Sequence, residues 1–382
     1  MIVVFWTLIG LIAYAYIGYP LIILILARIA GRRWILDETL APSMTLVIPA
    51  YNEQHVIDGK LRNALALDYP EGRLEILVAS ESDDGTDAIV SRFADQGVRL
   101  LPSSIRRGKV ANQHRAVQEA SGEIVVFTDA NAMLRMDALR KLARRFADPR
   151  VGSVSGRLAY RTPYGTASAY GEEIYWDLEM MVKKASSDLG SLPGANGSLF
   201  ALRRELYRPI SERRGDDFEL PIRVILQGRR SVLEPEAVSE EAPARSYRDE
   251  YRRKVRIINW MVVSAVILLG EALLRGHLLL AAQLLSHKLN RWAVPFWLIA
   301  LVPVTLLLAP TGPVYLAAAV VQGVVYTLAA MGLALDRTGM KLPSILGLPF
   351  YFAMVNLASL VGILTRLAGR DVRWHKRADG LS

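Results

Sequence analysis

The stretch FTDANA, Phe127 to Ala132, ends an apolar run on a single acid, Asp129, with the neutral Asn131 two residues further on. A carboxylate at a strand end, facing a polar crevice, can hold a hard divalent cation. Magnesium takes one or two protein carboxylates and fills its shell with substrate phosphate oxygens. RRGK, Arg106 to Lys109, supplies a compact ammonium suited to phosphate. GDDFEL, Gly215 to Leu220, places Asp216 and Asp217 at a helix start, where the helix dipole favours negative charge. Singly, each has an ordinary use: DAN caps a helix, RRGK is a solvated run, and NGSLF (Asn196 to Phe200) is a turn. Their order along one chain asks for elements that bring them together.

Those elements are readable. MTLVIPA (Met44 to Ala50), LEILVAS (Leu74 to Ser80), VRLLPS (Val98 to Ser103) and GEIVVFTDA (Gly122 to Ala130) are short apolar runs of strand type. Between them lie helical patterns of about a dozen residues, including Val56 to Leu67 and Lys109 to Ala120. Strands alternating with helices imply parallel crossovers and a doubly wound α/β sheet, whose ligands bind beyond the carboxyl ends of the strands. Tyr51 to Glu53, Glu81 to Asp84 and Asp129 to Asn131 all fall at such ends. Further on, Ala167 to Asp188 reads as a helix with Trp176 and Met180–Met181 near one face, and Leu192 to Leu206 as a Gly-rich turn entering a strand and helix. Gly215 to Arg230 reads as a helix with an acidic start.

The chain has 382 residues, 52% of them hydrophobic, and the apolar ones are clustered. Met1 to Ala27, Trp292 to Leu335 and Leu342 to Thr365 carry no charge; the first and third are long enough to cross a bilayer once, the second twice with APTGP as its turn. Positive charge follows the first run at Arg28, Arg32 and Arg33 and none precedes it, which implies an uncleaved anchor with the remainder cytosolic. Ile257 to Trp292 is apolar but broken by Glu271, Arg275, His277 and Lys288, a pattern suited to helices lying in the interface. The net charge of +9 gathers at the ends of apolar segments, where anionic headgroups lie, and argues against nucleic acid as the partner. With no cysteine there are no disulfides, thiolate nucleophiles or zinc–cysteine sites, and the five histidines lack ligand spacing.

The series VIPAYNE (Val47 to Glu53), GKVAN (Gly108 to Asn112), FTDANA, GANGSLFALRREL (Gly194 to Leu206), GDDFEL and RRKVR (Arg252 to Arg256), with YIGYP (Tyr16 to Pro20) in the first apolar run, resembles the membrane-embedded family 2 glycosyltransferases. That group includes cellulose, hyaluronan and poly-N-acetylglucosamine synthases. The resemblance implies a GT-A fold, a Rossmann-like and mostly parallel α/β sheet, in a cytosolic domain with interfacial helices and a transmembrane region. It implies a nucleoside diphosphate sugar as donor, a UDP-sugar first, Mg2+ or Mn2+ as cofactor, and a glycan or lipid acceptor. On the donor side it assigns Tyr51, Glu53, Glu81 or Asp83, Lys109, Asp129 and Ala130, with Arg253 and Arg256 on the diphosphate. Asp129 and Asn131 are the metal positions, matching the family's DxD with Asn in place of the second Asp. Gly194, Ala195, Asn196, Gly197 and Asp216 fall to the acceptor and Asp217 becomes the catalytic base.

Where the family has QxxRW, Arg253 and Arg256 match the outer Q and R and Ile257 replaces Trp, so the resemblance implies an acceptor platform that is either missing or moved, to Trp260 or Trp176. The expected division is an anchor helix at 1–30, the glycosyltransferase domain at 42–240, a basic segment with interface helices at 241–292, transmembrane helices at 293–368 and a basic tail at 369–382. The expected reaction is inverting transfer that builds a β-linked exopolysaccharide at the cytosolic face of the cell membrane, with single-sugar transfer to a lipid-linked acceptor as the alternative and a non-catalytic partner subunit as the third reading.

Overall fold

The computed structural model describes residues 1–160, 168–242, 246–337 and 343–370, with backbone alone for 168–177, 337 and 344–345. The proposed platform residue Trp176 and the basic positions Arg373, Lys376 and Arg377 therefore lie outside the described side chains.

An eight-stranded sheet carries the site. Its strands are β1 (Met44–Ala50), β2 (Leu74–Ser80), β3 (Val98–Pro102), β4 (Ile124–Phe127), β5 (Met133–Leu134), β6 (Val151–Tyr160), β7 (Phe200–Arg203) and β8 (Arg230–Glu241), in the order β3-β2-β1-β4-β7-β6-β8-β5. The first four pair in parallel, as alternating strands and helices require. The second half departs from the parallel expectation. β7 runs antiparallel to β4 and β6, and β5 antiparallel to β8, so the sheet is mixed. β6 and β8, its two longest strands, pair in parallel and are not anticipated by the apolar pattern.

Period-two alternation sorts the strand side chains between two cores. Met44, Leu46 and Ile48 face helices Ile57–Leu65 and Ala138–Arg145; Val47, Val125 and Phe127 face Lys109–Glu119 and Asp216–Leu226. β1 lies between β2 and β4, which aligns three strand ends at one edge. The antiparallel turn of β7 is what brings a fourth segment there. Phe200 pairs with Phe127, so the Gly194–Leu199 approach to β7 lies beside the loop that leaves β4.

Among the described residues, five helices are long and apolar enough to cross a membrane: Ile2–Ala30, Tyr247–Leu274, Leu278–Thr311, Pro313–Asp336 and Leu346–Leu367. The first packs against the third through Phe5, Leu8, Leu301, Val304 and Leu308. Tyr247–Leu274 and the start of Leu278–Thr311 share one apolar cluster with the sheet domain. Ala265, Leu268 and Ala272 pack on Phe218, Ile222 and Ile225 of the sheet domain. Ser264 donates to Glu219 at 3.1 Å and Arg275 to the Leu226 carbonyl at 3.4 Å. Toward its start, Tyr247 meets Phe350 edge to face at 4.8 Å, and Asn259 donates to the carbonyls of Gly362 and Arg370 at 3.3 and 3.1 Å.

Candidate active site

The loop after β1 turns at Asn52, the one non-glycine among the described residues with positive φ (55°). Asn tolerates that conformation because its side chain bonds locally. Here it donates to Asp83 and accepts from the Asp83 amide at 2.9 Å, tying the β1 and β2 loops together. Glu53 is fixed by its own amide, which donates to Thr86 at 2.8 Å. Arg106 lies 3.9 Å over the Tyr51 ring, a cation–π contact that closes this side of the crevice. Of the two candidate acids, Asp83 is exposed, whereas Glu81 is buried and accepts from the Gly108 amide at 2.8 Å. Glu81 thereby pins Gly108, whose φ of 103° suits glycine, at the entry to the Lys109 helix.

Lys109 projects from the first turn of Lys109–Glu119 into a set of carboxylates. Its Nζ is 2.8 Å from Asp129 and 3.2 Å from Asp216. Burial works against that charge, but Asp129, Asp216 and Asp217 more than offset it and hold the ammonium above the ordinary lysine range. Asp216 is buried and also accepts from Gln113 at 2.7 Å. Among the described residues, the Asp217 carboxylate takes no such bond. Burial first, and then the charge of Asp216, push its carboxyl up to about 6, with Lys109 opposing.

The Gly-rich segment closes over Asp217. Ala195 donates its amide to the Asp217 carbonyl at 2.7 Å. A Cβ on Gly197 would stand 3.0 Å from the Asp217 Oδ2, so glycine there leaves the carboxylate room. Gly194 holds φ at 116° against Phe218. Asn196 is engaged within the protein: its amide accepts from Ser198 and donates to Ser239, at 3.0 and 3.2 Å. Ala130 is buried, so only its backbone is available to a ligand, while Asn131 stays partly exposed beside Asp129.

One participant escapes the sequence reading. Lys60 is fully buried beneath the Asp129 loop. It donates to the Thr128 hydroxyl at 2.9 Å and to the Ala132 carbonyl, gripping the loop on both sides of Asp129. Thr128 passes the chain on, donating to the Ser198 carbonyl at 2.9 Å and so linking the Asp129 loop to the Gly-rich segment. Burial pulls the Lys60 pKa down to about 7, against the opposing charges of Asp129 and Glu241. The available signal was its place on the apolar face of its helix, level with Ile57, Leu61 and Ala64.

The structure does not place every expected residue in this cluster. Arg253 donates to both oxygens of Glu250, at 2.8 and 2.9 Å. Arg256 lies 6.0 Å from the centre of the Trp260 ring, one turn along the same helix.

Residues 45–210 match the domain described as glycosyl transferase family 2. The chain carries a family 2 glycosyltransferase domain. An N-acetylglucosaminyltransferase of Rhizobium meliloti (strain 1021) is 25% identical over 306 residues, 68% of this chain and 69% of that protein. Another from Rhizobium sp. (strain N33) is 25% identical over 224 residues, 54% of this chain and 49% of the other, so the chain spans about half the length of that relative. A mannosyltransferase from Pyrobaculum calidifontis, solved with GDP-Man and Mn2+, superposes with a TM-score of 0.71 at 27% identity, covering 95% of this chain and 99% of that one. The glycosyltransferase domain and its mixed sheet thus have a GT-A-like fold, joined to apolar helices of membrane-spanning length.

Proposed function

We propose that the chain is a metal-dependent, inverting glycosyltransferase that uses a nucleoside diphosphate sugar at the cytosolic face of a membrane. The observation that carries this reading is Lys109, its ammonium bridging Asp129 and Asp216 with Asp217 alongside. The donor's diphosphate meets Lys109 and the Asp129 loop; Tyr51, Glu53, Glu81 and Asp83 border its nucleoside. GDP-Man in the Pyrobaculum neighbour and N-acetylglucosaminyl transfer in the rhizobial relatives support this donor class.

The metal fits the residues present. Among the described residues no group of three His, Cys, Asp or Glu could enclose an ion. Asp129, whose side chain is 32% exposed, with Asn131 beside it, suits a cation that brings diphosphate oxygens of its own. When bound, such a cation neutralises charge that builds on the leaving diphosphate. The remaining chemistry belongs to the chain. The acceptor oxygen bonds to the anomeric carbon as the bond to the diphosphate breaks, and the acceptor's proton goes to Asp217. Asp217 is suited to this as a carboxylate of raised basicity. A single displacement with one base turns an α-linked donor into a β-linked product.

The contacts of Tyr247–Leu274 favour a helix on the membrane surface, since one half packs on the sheet domain and the other beside Ser344–Leu367. Both ends of that last helix meet it as well, through Phe350 and Gly362. With both lying along the surface, three crossings remain, and Arg366 and Arg370 stay on the side of the catalytic domain, as the positive-inside rule asks. Ile257 in place of an aromatic, and this close apposition of crevice and bilayer, favour a lipid-linked acceptor over a growing polymer. Incubating purified membranes with a panel of radiolabelled nucleotide sugars, with and without EDTA, tests the reading. Metal-dependent labelling of the organic phase is expected; full transfer in excess EDTA would refute the metal requirement, and no transfer from any donor would refute the activity.

A further inference from the structure

Among the described residues no hydrogen bond or ion pair reaches the Asp217 carboxylate, so its direction is set by the backbone of the turn it stands on. That turn is the first of the helix Asp216–Leu226, closed where the Glu219 amide donates to the Gly215 carbonyl at 2.9 Å. The Glu219 side chain is wholly buried, and both of its oxygens are engaged. Oε1 accepts from Arg214 at 2.8 Å and from Arg223 at 2.8 and 2.6 Å. Oε2 accepts from Ser264 at 3.1 Å. Arg214 stands three residues before Asp217 and Arg223 six after it, so one carboxylate ties the chain on both sides of the proposed base.

Ser264 belongs to another element, the helix Tyr247–Leu274, and so does Met261 one turn earlier. A Cβ on Gly215 would stand 3.2 Å from the Met261 Cε and 3.4 Å from the Asp217 Oδ1, so the base turn is packed closely on that helix. Arg223 also lies 4.0 Å from Glu271 of the same helix, and Arg275 at its end donates to the Leu226 carbonyl at 3.4 Å. Packing of the two helices does not require the acid, because Ala265, Leu268 and Ala272 already meet Phe218, Ile222 and Ile225. A buried charge is costly unless it is paired and hydrogen-bonded. What Glu219 adds is a set of directed, charge-assisted bonds that converge on the turn carrying Asp217.

We infer that Glu219 is a positioning residue for the transfer step: through Arg214 and Arg223 it fixes the turn that aims Asp217, and through Ser264 it refers that aim to the helix Tyr247–Leu274. This rests on the reading of Asp217 as base. The oxygens of Glu219 are taken by the two arginines and Ser264, so it acts through Asp217 alone. It sets the distance and angle at which the Asp217 carboxylate meets the acceptor hydroxyl, where a misplacement of about 1 Å can cost ~10²-fold in rate.

The test uses the full chain in phosphatidylcholine nanodiscs, with Glu219→Gln and Ser264→Ala made alone and in the Asp217→Asn background. Gln keeps the size of the side chain but not the charge that holds Arg214; Ala removes only the bond from Tyr247–Leu274. Radiolabel transfer from a nucleotide sugar that the wild type uses gives kcat and the donor KM, and calorimetry with Mn2+ and UDP or GDP gives nucleoside diphosphate affinity. Glu219→Gln should lower kcat roughly tenfold or more and Ser264→Ala about threefold or more, with donor KM and nucleoside diphosphate affinity within about twofold of wild type. In the Asp217→Asn background neither substitution should change the residual transfer by more than about twofold, because the group they aim is no longer a base. A purely structural role predicts the same loss in both backgrounds, and that result overturns the proposal. So does an unchanged kcat in either single variant, or a loss of nucleoside diphosphate affinity that matches the loss of rate. If Glu219→Gln does not fold, Ser264→Ala decides by the same comparisons, since it leaves Glu219 and both arginines in place. The base reading is judged by Asp217→Asn alone against wild type: near-wild-type transfer there removes the base, whereas equal losses in the two backgrounds remove only the role of Glu219.

Discussion

Replacing Asp217 by Asn separates a catalytic base from a helix-start acid, because the two roles predict opposite balances of stability and rate. The folded carboxyl titrates at about 6, raised by burial and by Asp216. An acid whose folded pKa exceeds its unfolded value costs the fold stability wherever it is ionised. That cost is absent below the unfolded pKa near 4, grows between there and about 6, and is full above. Two pKa units correspond to about 3 kcal/mol, and partial solvent access reduces this to about 1–3 kcal/mol. Asp217→Asn should therefore unfold later than wild type by a few degrees at pH 7.5 and at the same temperature at pH 4. An amide cannot accept the acceptor's proton, so transfer should fall by about 10²–10⁴-fold while nucleoside diphosphate binding persists. In the wild type, turnover should drop about tenfold per pH unit below about 6. The assays are thermal unfolding in detergent at two pH values and radiolabel transfer from pH 4.5 to 8. An Asn variant that transfers at near wild-type rate, or that keeps the acid limb, refutes the argument. Asp216→Asn should be milder, since an amide oxygen can still accept from Gln113 and Lys109.

Three further outcomes are expected. Asp129→Ala should abolish transfer and remove the metal dependence of nucleoside diphosphate binding, measured by calorimetry with and without Mn2+, while the chain still inserts. Lys60→Met should raise the unfolding temperature at pH 6, where the buried ammonium costs the fold, but not at pH 10, where it is already neutral; Mn2+-dependent nucleotide affinity should fall at the same time because the Asp129 loop loses its grip. Arg256→Ala should lower turnover in neutral detergent, and a defect cured simply by adding anionic lipid would assign that arginine to the bilayer.

What the sequence discloses here follows from where each kind of signal is written. β1, β2 and β4 are runs of β-branched and apolar residues covered on both faces, so their ends, and the polar clusters at those ends, can be placed without a structure. β6 and β8 conceal themselves. β6 is built from small residues because space demands it: a Cβ on Gly156 would stand 2.7 Å from Leu199 and 2.8 Å from the Ala237 carbonyl. β8 contains Pro235 and several glutamates and reads as loop. Its Glu234 is wholly buried only because Arg144 and Arg145 reach it at 2.9 and 2.7 Å, a compensation that is invisible in either segment alone.

Lys60 is the sharper case, since its role depends on burial that no local pattern specifies. An amphipathic helix tolerates a lysine at the edge of its apolar stripe by letting the stem lie along the core and the head reach water. Ile57, Leu61 and Ala64 permit that interpretation equally well. What denies Lys60 its water is the Asp129 loop folding across it, and that loop is held in place by the very bonds that Lys60 donates to Thr128 and Ala132. The cause is mutual and long-range, joining residues 68 and 72 positions apart in the chain. A buried ammonium that costs stability yet braces the loop proposed to meet the diphosphate is the arrangement expected where a fold gives up stability to fix a reactive geometry.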